Sequence, residues 1–137
     1  ALAKKKLVNV HSLIGIAVAP DFTKELIWNT LSDQKKEEVI INNKFSLSED
    51  LEISYQFIKD GEINLVLKSP IEFEGSGYLY QGMMDTEVPY KLSERVLKKI
   101  TKSNDVKLIL EKHGEHRLSK YDEIETIKLL INKISKT

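Results

Sequence analysis

Cysteine is absent from the 137 residues. Its absence excludes a disulfide framework, a thiol nucleophile and any cysteine-based zinc site. It also fits a reducing compartment, so a cytoplasmic location is expected. Net charge is absent as well, with 21 Lys and Arg against 21 Asp and Glu. No broad field would gather nucleic acid or an anionic membrane, and no nucleic-acid partner is expected. Long apolar runs are missing. The longest, residues 13–20, falls far short of the roughly 20 residues a membrane-spanning helix needs, and no membrane span is expected. With three prolines and six glycines there is no Pro/Gly/Ser-rich linker, repeat or low-complexity stretch, so residues 1–137 read as a single domain. The one basic cluster, Lys4-Lys5-Lys6, reads as a solvated helix end rather than a targeting signal. The chain opens on Ala1, as a processed product or a piece of a longer protein would.

The hydrophobic pattern is that of an α/β protein. The run LIGIAVA begins at Leu13, ends at Ala19 and is stopped by Pro20-Asp21. A continuous apolar run of this length suggests a strand buried on both faces of a parallel sheet. Residues 78–80 and 106–111 give two further strands. Between them, Leu92, Val96, Leu97 and Ile100 mark one face of a helix over residues 90–101. Ile124, Ile127, Leu130, Ile131 and Ile134 mark a second over residues 121–135. Strand, helix, strand, helix is the order of a βαβα unit.

Residues 21–69 are ambiguous. Phe22, Leu26, Leu31 and residues 33–41 suggest helices, and Ser46 with Glu49 has capping-box spacing. Alternation at Ile53, Tyr55 and Phe57, an Asp60-Gly61 turn signal and alternation at Ile63, Leu65 and Leu67 together spell a β-hairpin. Leu51, Tyr55 and Ile58 would equally form one stripe of a helix.

Two side chains carry chemistry. Asp85 lies in GMMDTEVP (residues 82–89), just after a predicted strand, and His116 lies in HGEHRLS (residues 113–119), just after the next. The carboxyl ends of neighbouring parallel strands are where side chains from separate loops converge. An aspartate bonded to one imidazole nitrogen fixes the tautomer and leaves the other nitrogen to take a proton from a hydroxyl. Taken alone, Asp85 could be a turn former or the cap of the helix beginning near Pro89, and His116 a solvated loop residue. His113 and His116 have HxxH spacing, but no helix imposes it and no third ligand is evident, so neither a metal nor a cofactor is expected.

GYLYQGMMDTEVP (residues 77–89) resembles the acid-bearing segment of the α/β-hydrolases: strand, histidine or glutamine, glycine, two residues, aspartate, two residues, valine-proline. KHGEHRLS (residues 112–119) resembles their histidine-bearing segment, with Gly114, Glu115 and His116 in the places of glycine, aspartate and histidine. LIGIAVAPDFT (residues 13–23) resembles the strand after the nucleophile helix in a bacterial and mitochondrial branch that includes an acyl-protein thioesterase. In that superfamily the order along the chain is serine, acid, histidine. The resemblance covers nearly the whole chain. It implies a partial α/β-hydrolase fold: the last three parallel strands with flanking helices, residues 70–137, and a small helical cap over about residues 21–69. Segments like Ile58-Lys59-Asp60-Gly61 tend to be helical in such caps, so a helix is expected over about residues 48–67. Asp85 and His116 would be the acid and histidine of a serine-hydrolase triad. Phe22 and Trp28, with Ile27 and Tyr55, would line an acyl channel.

The departure from the family is equally specific. No Gly-x-Ser-x-Gly elbow occurs in the sequence. Ser76 and Ser12 each precede a predicted strand, whereas an elbow turns from a strand into a helix. The expectation is therefore a hydrolase of carboxylic esters or acyl thioesters that is inactive as this chain alone, with a small acyl substrate once complete. The alternative is a non-catalytic remnant or assembly module that self-associates, or pairs with a separate N-terminal chain, through the strand from Leu13 to Ala19. An unrelated small α/β binding domain stays open on pattern alone.

Overall fold

The computed structural model describes residues 10–48 and 51–135, with the backbone alone for Leu51. Lys4-Lys5-Lys6 and Glu49 lie outside the described residues. The chain divides into two compact units: Asp21–Leu65, and the residues before and after that segment.

The unit outside the segment contains a three-stranded parallel sheet. Its strands are β1 (Ser12–Ile16), β4 (Ser76–Gly82) and β5 (Val106–Glu111), in the order β1-β4-β5. Helix α3 (Tyr90–Lys99) crosses from β4 to β5, and α4 (Tyr121–Ile134) follows β5. β4 lies between two neighbours and its last four residues are all buried. That explains why its sequence shows a continuous apolar stretch rather than alternation. Tyr80 on this strand packs with Leu118 and Leu130, and Ile14, Tyr78, Ile109 and Ile127 close around them.

β1 departs from the expectation of a strand running to Ala19 and buried on both faces. It ends at Ile16, which is 41% exposed. Ala17 takes a left-handed φ of 45°, which ends strand geometry. Its N–H still donates to the Tyr80 carbonyl at 2.9 Å. Among the described residues β1 has a partner on one side only, so it packs as an edge strand.

The helical stripes also shift in detail. In α3, Leu92 and Ser93 are the buried positions. In α4 the inward row is Glu123 and Leu130, both buried, with Ile127 partly buried between them, whereas Ile124 and Ile131 are 40% and 49% exposed. Glu123 is accepted into that row because its carboxylate receives the Lys120 N–H at 2.7 Å, the glutamate's half of a capping box at the helix start.

Within Asp21–Leu65 the order is a π-helix (Thr23–Ile27), a 3₁₀ turn (Trp28–Thr30), α1 (Asp33–Asn42), strands β2 (Lys44–Ser48) and β3 (Leu51–Ser54), and α2 (Tyr55–Ile63). Ser32 caps α1 by accepting the Lys35 N–H, and Asn43 ends it with a left-handed φ of 53°. β2 and β3 pair antiparallel. Ser46 is therefore a strand residue and not a helix cap.

The helix expected over residues 48–67 is shorter, because residues 51–54 are strand. The hairpin turn signalled by Asp60-Gly61 does not form. Ser54 accepts the Phe57 N–H at 3.2 Å and starts a helix there. Ile58 is buried on it. Gly61 is a contact point inside that helix: a Cβ there would come 2.1 Å from Thr23 Oγ1. Closeness of approach, not turn geometry, is what this glycine serves.

The last residue of β4 has a similar constraint. A Cβ on Gly82 would lie 2.2 Å from the Gly114 carbonyl oxygen, a backbone atom that cannot rotate away. Gly82→Ala is expected to cost about 1–3 kcal/mol, the usual penalty of overpacking. Urea unfolding of the chain reads it, and a stability equal to wild type would show that the two loops have room to part.

Candidate functional site

The ends of β4 and β5 continue as two loops tied to each other. Met83 N–H donates to the Glu111 carbonyl at 2.9 Å, Met84 N–H to the Gly114 carbonyl at 3.0 Å, and Gly114 N–H to the Glu111 carbonyl at 3.1 Å. These bonds carry the parallel register past the strands and fix the Asp85 loop against the His116 loop. The result is a direct contact: His116 Nδ1 lies 2.9 Å from Asp85 Oδ2. The Asp85 side chain is fully buried, and the imidazole is one-third exposed.

Both oxygens of Asp85 are occupied. Oδ1 accepts the N–H groups of Glu87 at 2.9 Å and Val88 at 2.8 Å, a local Asx-type turn. Oδ2 accepts His116 and, at 2.7 Å, the side-chain amide of Gln81. The turn-former role is therefore real, carried by one oxygen while the other holds the imidazole. The helix-cap role is not, since Pro89 occupies the N-cap of α3.

Burial alone would push the Asp85 carboxyl up. The Val88 N–H, His116 and the Glu87 N–H outweigh it, and the group is held below the ordinary carboxylate range. An ionised carboxylate only accepts hydrogen bonds, so Nδ1 of a neutral His116 carries the proton and Nε2 presents a lone pair.

Gln81, Ser93 and Glu87 are parts of the arrangement that individual sequence positions did not announce. Gln81 is completely buried. Its amide nitrogen donates to Asp85 Oδ2 and to the Val88 carbonyl at 3.2 Å, and its oxygen accepts the Ser93 hydroxyl at 2.9 Å. The glutamine in the resembling segment was the available signal for Gln81. Ser93 had none, because its link to Gln81 spans 12 residues and depends on how α3 packs. The Glu87 carboxylate lies 3.7 Å from His116 Nε2, beyond hydrogen-bond length, so that nitrogen is left available.

Other candidates fall elsewhere. Ser12 and Ser76 open their strands and touch each other at 3.3 Å. Ser76 and Gly82 are the two ends of β4, so these serines sit about 20 Å from the Asp85 rim at the usual rise per strand residue. His113 is exposed, and no group of three metal-ligating side chains occurs among the described residues. No described helix is long and apolar enough to cross a membrane. Phe22 and Trp28 belong to the Asp21–Leu65 unit. There Phe22, 43% exposed, stacks at a tilt on Phe57 with centroids 5.9 Å apart, Trp28 meets Tyr55 at 5.6 Å, and Ile27 is core.

Two outcomes are expected from this network. Gln81→Leu strands the Ser93 hydroxyl and the Val88 carbonyl and should cost about 1–3 kcal/mol in urea unfolding. Because the folded carboxyl of Asp85 titrates below its unfolded value, its stabilisation is complete above about pH 4 and is lost as pH falls through the folded value. The acid limb of stability against pH should therefore flatten in Asp85→Asn; an unchanged limb would mean the carboxylate gains nothing from its partners.

No family model matches the sequence. The human mitochondrial palmitoyl-protein thioesterase ABHD10 is 36% identical over 136 residues, a match covering 92% of this chain and 44% of that protein. Among solved structures, mouse alpha/beta hydrolase domain-containing protein 10 superposes with a TM-score of 0.81 at 32% identity, over 96% of this chain and 56% of that one. A putative hydrolase from Agrobacterium vitis S4 gives a TM-score of 0.82 at 31% identity, over 91% and 49%. The chain thus spans about half the length of the relatives it matches. Parallel strand order, the two loops at the carboxyl edge and these similarities agree: the chain has a partial α/β-hydrolase fold and is similar in sequence to that thioesterase, consistent with the C-terminal part of such a fold.

Proposed function

We propose that Asp85 and His116 are the acid and the histidine of a serine-hydrolase triad acting on carboxylic esters or acyl thioesters, with the serine supplied by sequence beyond these 137 residues. The observation that carries this reading is the bond between His116 Nδ1 and the buried, ionised Asp85. It leaves Nε2 as a base at the rim of a parallel sheet, where hydrolases of this fold do their chemistry. The similarity to a palmitoyl-protein thioesterase supports an acyl thioester as substrate.

In this mechanism Nε2 takes the serine proton as the hydroxyl attacks the acyl carbon, then returns it to the departing thiol or alcohol. Asp85 holds the ring and stabilises the imidazolium formed between the two steps. Water then repeats the sequence on the acyl-enzyme. The elbow also supplies an oxyanion amide, so this chain alone should turn over nothing. Phe22 and Trp28 are proposed to contact the acyl chain, as exposed or half-exposed aromatics of the inserted unit.

A second reading, an assembly module, is favoured by one observation: among the described residues β1 is paired on one side only. An unpaired strand side recruits another strand. Concentration-dependent association in sedimentation that disappears on Ile14→Pro would support it, and a monomer at all concentrations would exclude it.

The test of the hydrolase reading uses these residues joined to, or co-expressed with, an elbow-bearing segment. Hydrolysis of an acyl thioester and labelling by a fluorophosphonate are expected only with that segment present. Asp85→Asn and His116→Ala should each lower kcat by about 10³–10⁴-fold. Turnover that survives His116→Ala would overturn the reading.

A further inference from the structure

We propose that Glu87 selects the leaving group: it favours acyl thioesters or esters whose thiol or alcohol carries positive charge close to the reacting atom, such as an acylated cysteine flanked by basic residues, over anionic ones. The inference rests on the hydrolase reading above and deepens it.

Glu87 is placed by the same turn that places Asp85. Its N–H is bonded to Asp85 Oδ1, so its position relative to the imidazole is set by the backbone, while its carboxylate is two-thirds exposed and 3.7 Å from His116 Nε2. Nε2 must hand its proton to the leaving atom, which therefore comes within about 3 Å of it. The leaving atom then lies within about 7 Å of the Glu87 carboxylate, inside the roughly 8 Å over which charges are felt at physiological salt. A fatty acyl chain has no charge to feel this field. The leaving group is the part of the substrate that can.

Among the described residues, Glu87 is the only acidic side chain besides Asp85 within ion-pair reach of the imidazole. Asp85 is buried, with both oxygens occupied. Arg117, Lys112 and Lys120 are exposed on the His116 loop. Lys120 Nζ reaches back to the His113 carbonyl at 3.3 Å. Glu115, also exposed there, makes no such pair with the ring, and it serves as the control.

The experiment uses the elbow-bearing assembly and three acyl-cysteine peptides with one common acyl group, flanked by lysine, by glutamate or by neutral residues. The lysine peptide is expected to exceed the glutamate peptide in kcat/KM by about twofold at physiological salt and up to about sevenfold at low salt, the effect of reversing one charge at about 7 Å in water. Glu87→Gln should bring the ratio close to one, Glu115→Gln should leave it, and added salt should shrink it in wild type and Glu115→Gln but not in Glu87→Gln. Hydrolysis of all three peptides with no preference, or with a preference that Glu87→Gln does not alter, overturns the role of Glu87 and leaves the hydrolase reading standing. No hydrolysis of even the neutral peptide, with the serine present, overturns both.

Discussion

A buried carboxylate must be satisfied on every side or it unfolds what surrounds it. Asp85 meets that demand with two backbone N–H groups on one oxygen, and a glutamine amide and an imidazole on the other. Each partner is delivered by a different piece of structure: the turn that follows β4, the strand itself, and the loop after β5. The strands must be parallel and adjacent for those three to meet. Gly82 must be glycine for the loops to approach as they do. The site and the sheet are thus one constraint seen from two ends.

The same arrangement divides labour between fixed and adaptable parts. Gln81, Ser93 and Val88 are buried, and their hydrogen bonds hold Asp85 and one another. His116 is half in this network and half out of it, with one ring nitrogen committed and the other free to exchange a proton. Leu118, two residues on, is buried at a left-handed φ of 45°. A non-glycine residue is held there only by surroundings that over-determine it, here its packing on Tyr80 and Leu130. The core therefore steers the chain out of the histidine loop and into α4.

Much of this could be read from the residues alone. The strand over residues 106–111 and the starts of both C-terminal helices followed from apolar spacing, and the pairing of Asp85 with His116 followed from their places after successive strands together with the resemblance of their two segments to a known arrangement. What escaped was set by contacts distant in sequence or by single backbone angles. The left-handed turn at Ala17 cut β1 short although the apolar run continues to Ala19. Asp60-Gly61 has the composition of a turn, but Ser54 caps a helix upstream and Thr23 needs the space a side chain would fill. The exposure of Ile124 and Ile131 came from a one-residue change of phase around Glu123, whose carboxylate is satisfied by accepting the Lys120 N–H. Charge type alone would have placed that residue on the surface.

Between the paired residues Ser12 and Ser76 the chain travels 64 positions and passes through the whole Asp21–Leu65 unit. β4 and β5, by contrast, pair Gly77 with Val106 across a single helix. Closure entropy grows only logarithmically, so doubling the longer excursion would add about 0.6 kcal/mol. The junction between β1 and β4 is a place where sequence can be exchanged or enlarged almost freely while the ladder beneath keeps its register, which makes it the natural point for diversification in molecules built on this plan.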